Sequence, residues 1–146
     1  MYHLPIYTVK LVRDGTQKSE VKKVRSARDV YEIVCEYLDG ADREYFGVIM
    51  LDTQNNVRGI TTVSMGVLNA SLVHPREVFK PAILASAANI ILFHNHPSGD
   101  STPSAEDRAV TRQLKQAGVV IGIEVMDHVV VGDGSYISFA ETGLIS

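Results

Sequence analysis

Residues 89–107 read NIILFHNHPSGDSTPSAED, and this stretch decides the fold. It opens with NIILF, an apolar run typical of a buried strand, and the chain leaves that run directly into two histidines, His94 and His96. Side chains on a strand alternate with period two, so His94 and His96 project to the same side and place two imidazoles within reach of one ion. A tight Pro97-Ser98-Gly99-Asp100 loop follows, and a helix is expected to start at Ser104 and to end near Gly118. Val110, Leu114 and Ala117 fall on one face of that helix. Asp107 sits in its first turn, from where it can swing back as a third ligand.

Two histidines and one carboxylate, with water in a fourth position, form a catalytic zinc arrangement with ligand distances of roughly 2.0–2.2 Å. Such a site lowers the pKa of its water toward ~7 and yields hydroxide at neutral pH. Simpler readings exist. Either histidine could end a strand bonded to backbone, and Ser104-x-x-Asp107 also has the form of a capping box. The two readings of Asp107 are compatible, because a capped helix start can hold the carboxylate in place for a metal. The spacing H-x-H-x7-S-x2-D arises by chance on the order of 0.001 times in a chain of this composition, so the signal is specific.

Outward from this segment, helices and strands interleave. Residues 6–12 (IYTVKLV) alternate as a strand does, and a helix is expected over Ala27–Leu38, with Val30, Ile33, Val34 and Tyr37 on one face, Ser26 as cap and Gly40 as stop. Cys35 in that helix is expected to be a small buried hydrophobe. YFGVIML (45–51), VRGITTVS and GVLNASLV read as an antiparallel meander turned by DTQNN. A helix starting at Pro75 is expected to reach about Ala88, loosened by Pro81. VVIGIEVM, HVVVG and SYISF close the chain as strand-like runs. The expected class is α/β, a three-layer arrangement with a mixed, curved sheet between helices.

Composition bounds the chemistry. The 146 residues suit a single domain spanning 1–146, with residues 1–24 as an N-terminal strand extension. The formal charge of −3 offers no broad attraction for nucleic-acid phosphates, and no basic run exceeds KSEVKKVR. The single cysteine excludes an internal disulfide and thiolate-rich zinc sites. A metal must therefore be held by carboxylates and by some of His3, His74, His94, His96 and His128. No stretch approaches 18 apolar residues, so no membrane role is expected, and with the lone cysteine the expected location is cytoplasmic. Asp100 reads as a turn residue, and His128, beside Asp127, as a structural histidine.

His94-x-His96, Pro97, Ser104 and Asp107 resemble the JAMM (MPN-plus, JAB) metalloprotease motif. Three blocks, VSMGVLNASLVHPREVFKPAI, ILFHNHPSGDSTPSAED and MDHVVVGDGSYISFAETGLI, resemble the bacterial RadC group within it, over about residues 25–146. The resemblance implies a cytidine-deaminase-like fold, one Zn2+ per chain held by His94, His96 and Asp107, and hydrolysis of a peptide or isopeptide bond in a protein or peptide substrate. It also implies an upstream glutamate that takes a proton from the metal's water. Glu44, between the first helix and the following strand, is the best match, and Glu77 is its competitor. Ser104 is implied as the oxyanion-stabilising hydroxyl. A zinc deaminase is disfavoured because that chemistry uses cysteine ligands. The RadC likeness also carries an association with DNA repair, which leaves a nuclease or DNA-processing accessory as one alternative and a non-catalytic interaction module as another. Full-length RadC proteins resemble a helix-hairpin-helix domain joined to this one, and no such domain is expected in this chain. Oligomeric state is open, since residues 6–12 can pair with another chain.

Overall fold

A computed structural model of the chain describes residues 1–66 and 73–145. It contains, in order, α1 (Ala27–Tyr37), β1 (Tyr45–Leu51), β2 (Val57–Met65), α2 (Pro75–Leu84), β3 (Asn89–Asn95), α3 (Ala105–Ile121), β4 (Glu124–Val131) and β5 (Tyr136–Ser138). The strands form one sheet in the order β2-β1-β3-β4-β5, in which β3 and β4 are parallel and every other pair is antiparallel. A parallel pair needs a crossover, and α3 supplies it.

Helices cover both faces of the sheet, which explains why β1 and β3 are apolar throughout rather than alternating. On one face, Phe46, Val48, Ile90, Leu92 and Val125 pack against Val78, Phe79 and Ala82 of α2 and Val110 and Leu114 of α3. On the other, Ile49, Leu51, Ile91, Phe93 and Val129 pack against Val30, Ile33 and Val34 of α1. The expected three-layer α/β architecture is therefore the observed one. His94 shares the parity of Ile90 and Leu92, so it faces α3. Phe46 of β1 pairs with His94, and Glu44, two residues earlier on the same face, stands beside the end of β3.

Several expectations are corrected. Residues 6–12 form no strand, because no described strand pairs with them and an isolated strand has nowhere to place its backbone hydrogen bonds. Cys35 is exposed, not buried. It lies two residues beyond buried Ile33, a turn of roughly 200° that carries it to the solvent side of α1. Helix α2 stops at Leu84 rather than Ala88, since Ser86 takes a left-handed φ of 53°. Helix α3 runs past Gly118 to Ile121 and is stopped by left-handed Gly122, so Val119–Ile121 are helical and only Glu124–Val131 form the strand. His128 lies in the middle of β4 instead of opening a strand. The β1–β2 hairpin is as expected, while most of the predicted third strand of the meander falls in residues 67–72, outside the described residues. Among the described residues, no helix is long and apolar enough to cross a membrane.

Candidate metal centre

The end of β3 and the start of α3 are joined by the loop 96–104, and both ends of that loop are built by local sequence. Ser104 is the N-cap of α3: its Oγ accepts from the Asp107 N–H at 3.0 Å, and its own N–H donates to Asp107 Oδ2 at 2.7 Å. The capping box forms as expected, and the Asp107 side chain that makes it also points inward, buried, toward the two histidines. Asp107 Oδ1 lies 3.2 Å from His94 Nδ1, and Asp107 Oδ2 lies 3.1 Å from His96 Nε2. One donor atom from each of His94, His96 and Asp107 can be chosen so that all lie within 4.8 Å of one another.

The donor set fits a metal ion. Asp107 Oδ1 and both ring nitrogens of His94 are buried without a hydrogen-bond partner in the protein, so the short His94–Asp107 approach satisfies neither group. A divalent cation would take Asp107 Oδ1 and one of the two His94 ring nitrogens together. His96 is pre-set for the task, because its Nδ1 lies 2.8 Å from the Asp100 carbonyl oxygen. Nδ1–H then donates there and leaves the Nε2 lone pair facing Asp107, the usual outer support of a metal-bound imidazole. The Asp100 side chain fills the expected turn role, with Oδ1 accepting from the Thr102 N–H and hydroxyl.

Burial opposes ionisation of Asp107, but the His94 imidazole and the Ser104 N–H outweigh it and hold the carboxyl well below the usual carboxylate range. Asp107 therefore stands as a carboxylate at neutral pH.

Glu44 Oε2 stands 3.9 Å from His94 Nε2, at the rim of the centre, with its side chain about one-quarter exposed. Its backbone is clamped from both sides by Asn95: Oδ1 accepts from the Tyr45 N–H at 2.6 Å, and Nδ2 donates to the Arg43 carbonyl at 3.0 Å. The residue between the two candidate ligand histidines therefore fixes the peptide on either side of Glu44. Glu77, the competitor, is paired with Lys80 at 3.0 Å and lines a groove between α2 and β2 instead.

One further residue, Thr111, went unnoticed in the sequence, and His128 takes the structural role expected of it. The Thr111 hydroxyl donates to the Asp107 carbonyl at 2.6 Å, and its oxygen in turn accepts from His128 Nδ1–H at 2.5 Å. Thr111 follows Asp107 by four residues on a helix, which was the available signal. His128 is not brought into the ligand cluster, and Asp127 forms no dyad with its ring. The Asp127 carboxylate is engaged instead by the His128 and Ala140 N–H groups and the Ser138 hydroxyl.

Burial, and after it the charge of His94, push His128 down to about 3. A folded-state value below the ordinary ~6.5 means that the stability held by the neutral ring is complete above pH 6.5 and is lost as pH falls toward 3. Urea unfolding of the metal-free chain should show stability falling by up to about 1.4 kcal/mol per pH unit below pH 6. His128→Asn, which keeps a donor toward Thr111, should flatten that dependence.

The loop is braced from β4 and the turn that follows it. The His96 N–H donates to the Val131 carbonyl at 2.8 Å, and the Asp133 N–H to the Gly99 carbonyl at 2.9 Å. A Cβ at Gly132 would collide with the Gly99 carbonyl oxygen and crowd the Ser101 nitrogen, both backbone atoms of this loop. Gly132→Ala should therefore cost about 1–3 kcal/mol and loosen the Asp100 support of His96. Thermal unfolding together with chelator competition for an added divalent metal would measure both effects.

A family model for the RadC-like JAB domain matches residues 24–144. The chain belongs to the RadC-like JAB family. Similar proteins include UPF0758 proteins of Desulfitobacterium hafniense (52% identical over 122 residues, 84% of this chain and 54% of the relative) and Methanococcoides burtonii (50% over 125 residues, 86% and 55%). Another, from Symbiobacterium thermophilum, is 57% identical over 119 residues, covering 82% of this chain and 51% of the relative. The chain thus spans about half the length of the curated relatives it matches. The matched region of the RadC-like JAB domain contains all three candidate ligands, Glu44 and Ser104.

Proposed function

We propose that this RadC-like JAB domain is a zinc-dependent hydrolase that cleaves a peptide or isopeptide bond with an activated water. The observation that supports this reading is the convergence of His94, His96 and Asp107, with Glu44 3.9 Å from His94. Zinc, when bound, would supply Lewis acidity and a water of lowered pKa. Glu44 takes the proton of the attacking water on a carboxylate oxygen and passes it to the leaving amine nitrogen as the C–N bond breaks. Ser104 Oγ accepts only from Asp107, so its O–H can donate to the carbonyl oxygen as that atom gains negative charge. His96 is held in register by the Asp100 carbonyl throughout.

Asn95 acts through Glu44. Asn95→Ala should lower kcat about tenfold with KM and zinc content unchanged, measured by steady-state kinetics and metal analysis. A reducing compartment such as the cytosol suits a chain whose one thiol, Cys35, is unpaired and exposed. The reading is tested by presenting the zinc-loaded chain with libraries of linear and isopeptide-linked peptides. Cleavage should require zinc, stop with chelator and return on adding zinc back. A chain with one zinc bound that cleaves none of them, or cleavage indifferent to chelator, would overturn it.

A further inference from the structure

The largest anomaly of this molecule lies outside the metal centre. Residues 1–16 form an arm with no regular secondary structure, and Tyr2, Leu4, Ile6, Tyr7, Val9 and Val12 on it are between 71% and 96% exposed. Single exposed apolar residues are ordinary, but a contiguous set of this size marks an interaction surface. Within residues 6–12, Tyr7, Val9 and Leu11 share one face of a period-two pattern, so the segment has the composition of a strand with no strand beside it.

The same chain carries a matching acceptor. Strand β2 is an edge strand: it pairs with β1, and among the described residues its only other backbone pairing is the isolated bridge between Lys23 and Asn56 at its start. Between β2 and α2 runs a groove of about 210 Å³, floored by Thr61, Val63, Pro81 and Leu84 with the Glu77–Lys80 pair beside them. Leu11 of the same arm forms part of its lining.

The arm cannot lay its apolar segment along its own β2 in register. The Lys23–Asn56 bridge is antiparallel, so each residue further back on the arm meets one residue further along β2. Continued in that register, the polar stretch at 15–21 would occupy the edge, Gly15 would meet Ser64, and Val12 would already lie beyond Met65, where β2 ends. The root of the arm is also fastened to α1 by Gln17 Nε2, which donates to the Ile33 carbonyl at 3.1 Å.

We propose that residues 6–12 of one copy add as a strand to the edge of β2 that no described strand covers in a second copy, with Tyr7, Val9 and Leu11 over the β2–α2 groove, in a reciprocal two-fold exchange. Strand and acceptor occur on one chain, so two copies satisfy each other with neither surface left over. Two tyrosines offer roughly 300–500 Å². With Leu4, Ile6, Val9, Leu11 and Val12 each arm approaches the ~800 Å² that a partner contributes to a stable interface.

Light scattering during gel filtration of the full chain at micromolar concentration should give twice the 16.0 kDa chain mass. The triple variant Tyr7→Ser, Val9→Ser, Leu11→Ser should run as a monomer with unchanged far-UV circular dichroism, since these side chains lie outside the core. In a Cys35→Ser background, a Val9→Cys copy mixed with a larger, tagged Thr61→Cys copy should yield the mixed-size disulfide. A monomeric full chain, a triple variant that stays dimeric, or a dimeric mixture that forms no mixed disulfide would each overturn the exchange.

Discussion

Asp107→Ala is expected to remove the metal and weaken the start of α3 together, whereas His96→Ala removes the metal alone. Structural zinc sites hold their ion with about 10–16 kcal/mol, so one ligand of three carries on the order of 3–5 kcal/mol, or 10²- to 10⁴-fold in affinity. Both variants should fall from about one zinc per chain to almost none at equimolar metal. They differ in the metal-free state. His96 sits in a loop outside the core, and its loss should shift metal-free stability by less than about 1 kcal/mol. Asp107 also accepts the Ser104 N–H at 2.7 Å, and without that capping bond the helix start should lose about 1 kcal/mol more. Metal analysis paired with urea unfolding in chelator separates the two effects. Equal metal-free stabilities would show that the capping bond contributes nothing.

Glu44→Gln is expected to lower the rate of amide hydrolysis by 10²- to 10⁴-fold while zinc stays at about one per chain. Glutamine preserves the size of the side chain and its position between the two Asn95 bonds, since those bonds reach the backbone of Arg43 and Tyr45 and not the carboxylate. What it loses is the ability to take a proton. Glu77→Gln serves as the internal control, because Glu77 faces Lys80 across one turn of α2 and should leave turnover unchanged. Metal content and turnover measured on the same preparations decide the matter. Full activity in Glu44→Gln would move the proton acceptor elsewhere.

The candidate metal centre was legible from residues 89–107 because its parts are local. Two histidines two apart on a strand and an acid three residues after a cap are held by backbone geometry that short-range sequence dictates. Glu44 was less so. A lone glutamate carries no spacing, and only the Phe46–His94 pairing across β1 and β3 brings it to the ligands. Its Asn95 clamp crosses about fifty residues of chain and left no pattern to read. Thr111 escaped for the same reason, since an ordinary helical threonine meets the structural His128 only when α3 packs on β4.

The misreadings share one cause. Local pattern reports what a segment could bury, and packing decides what it does bury. Residues 6–12 alternate like a strand yet stay exposed, because a strand exists only when another edge accepts its hydrogen bonds. Cys35 lies on a helix that packs on the core, but on the side turned to solvent. Short-range sequence was enough for the α/β class, the candidate ligand set and the capped helix start, since each depends on contacts within a few residues. The position of Glu44, the neutral state of His128 and the unpaired arm were decided only by tertiary structure. Each depends on which distant surfaces meet and on how much water that meeting excludes.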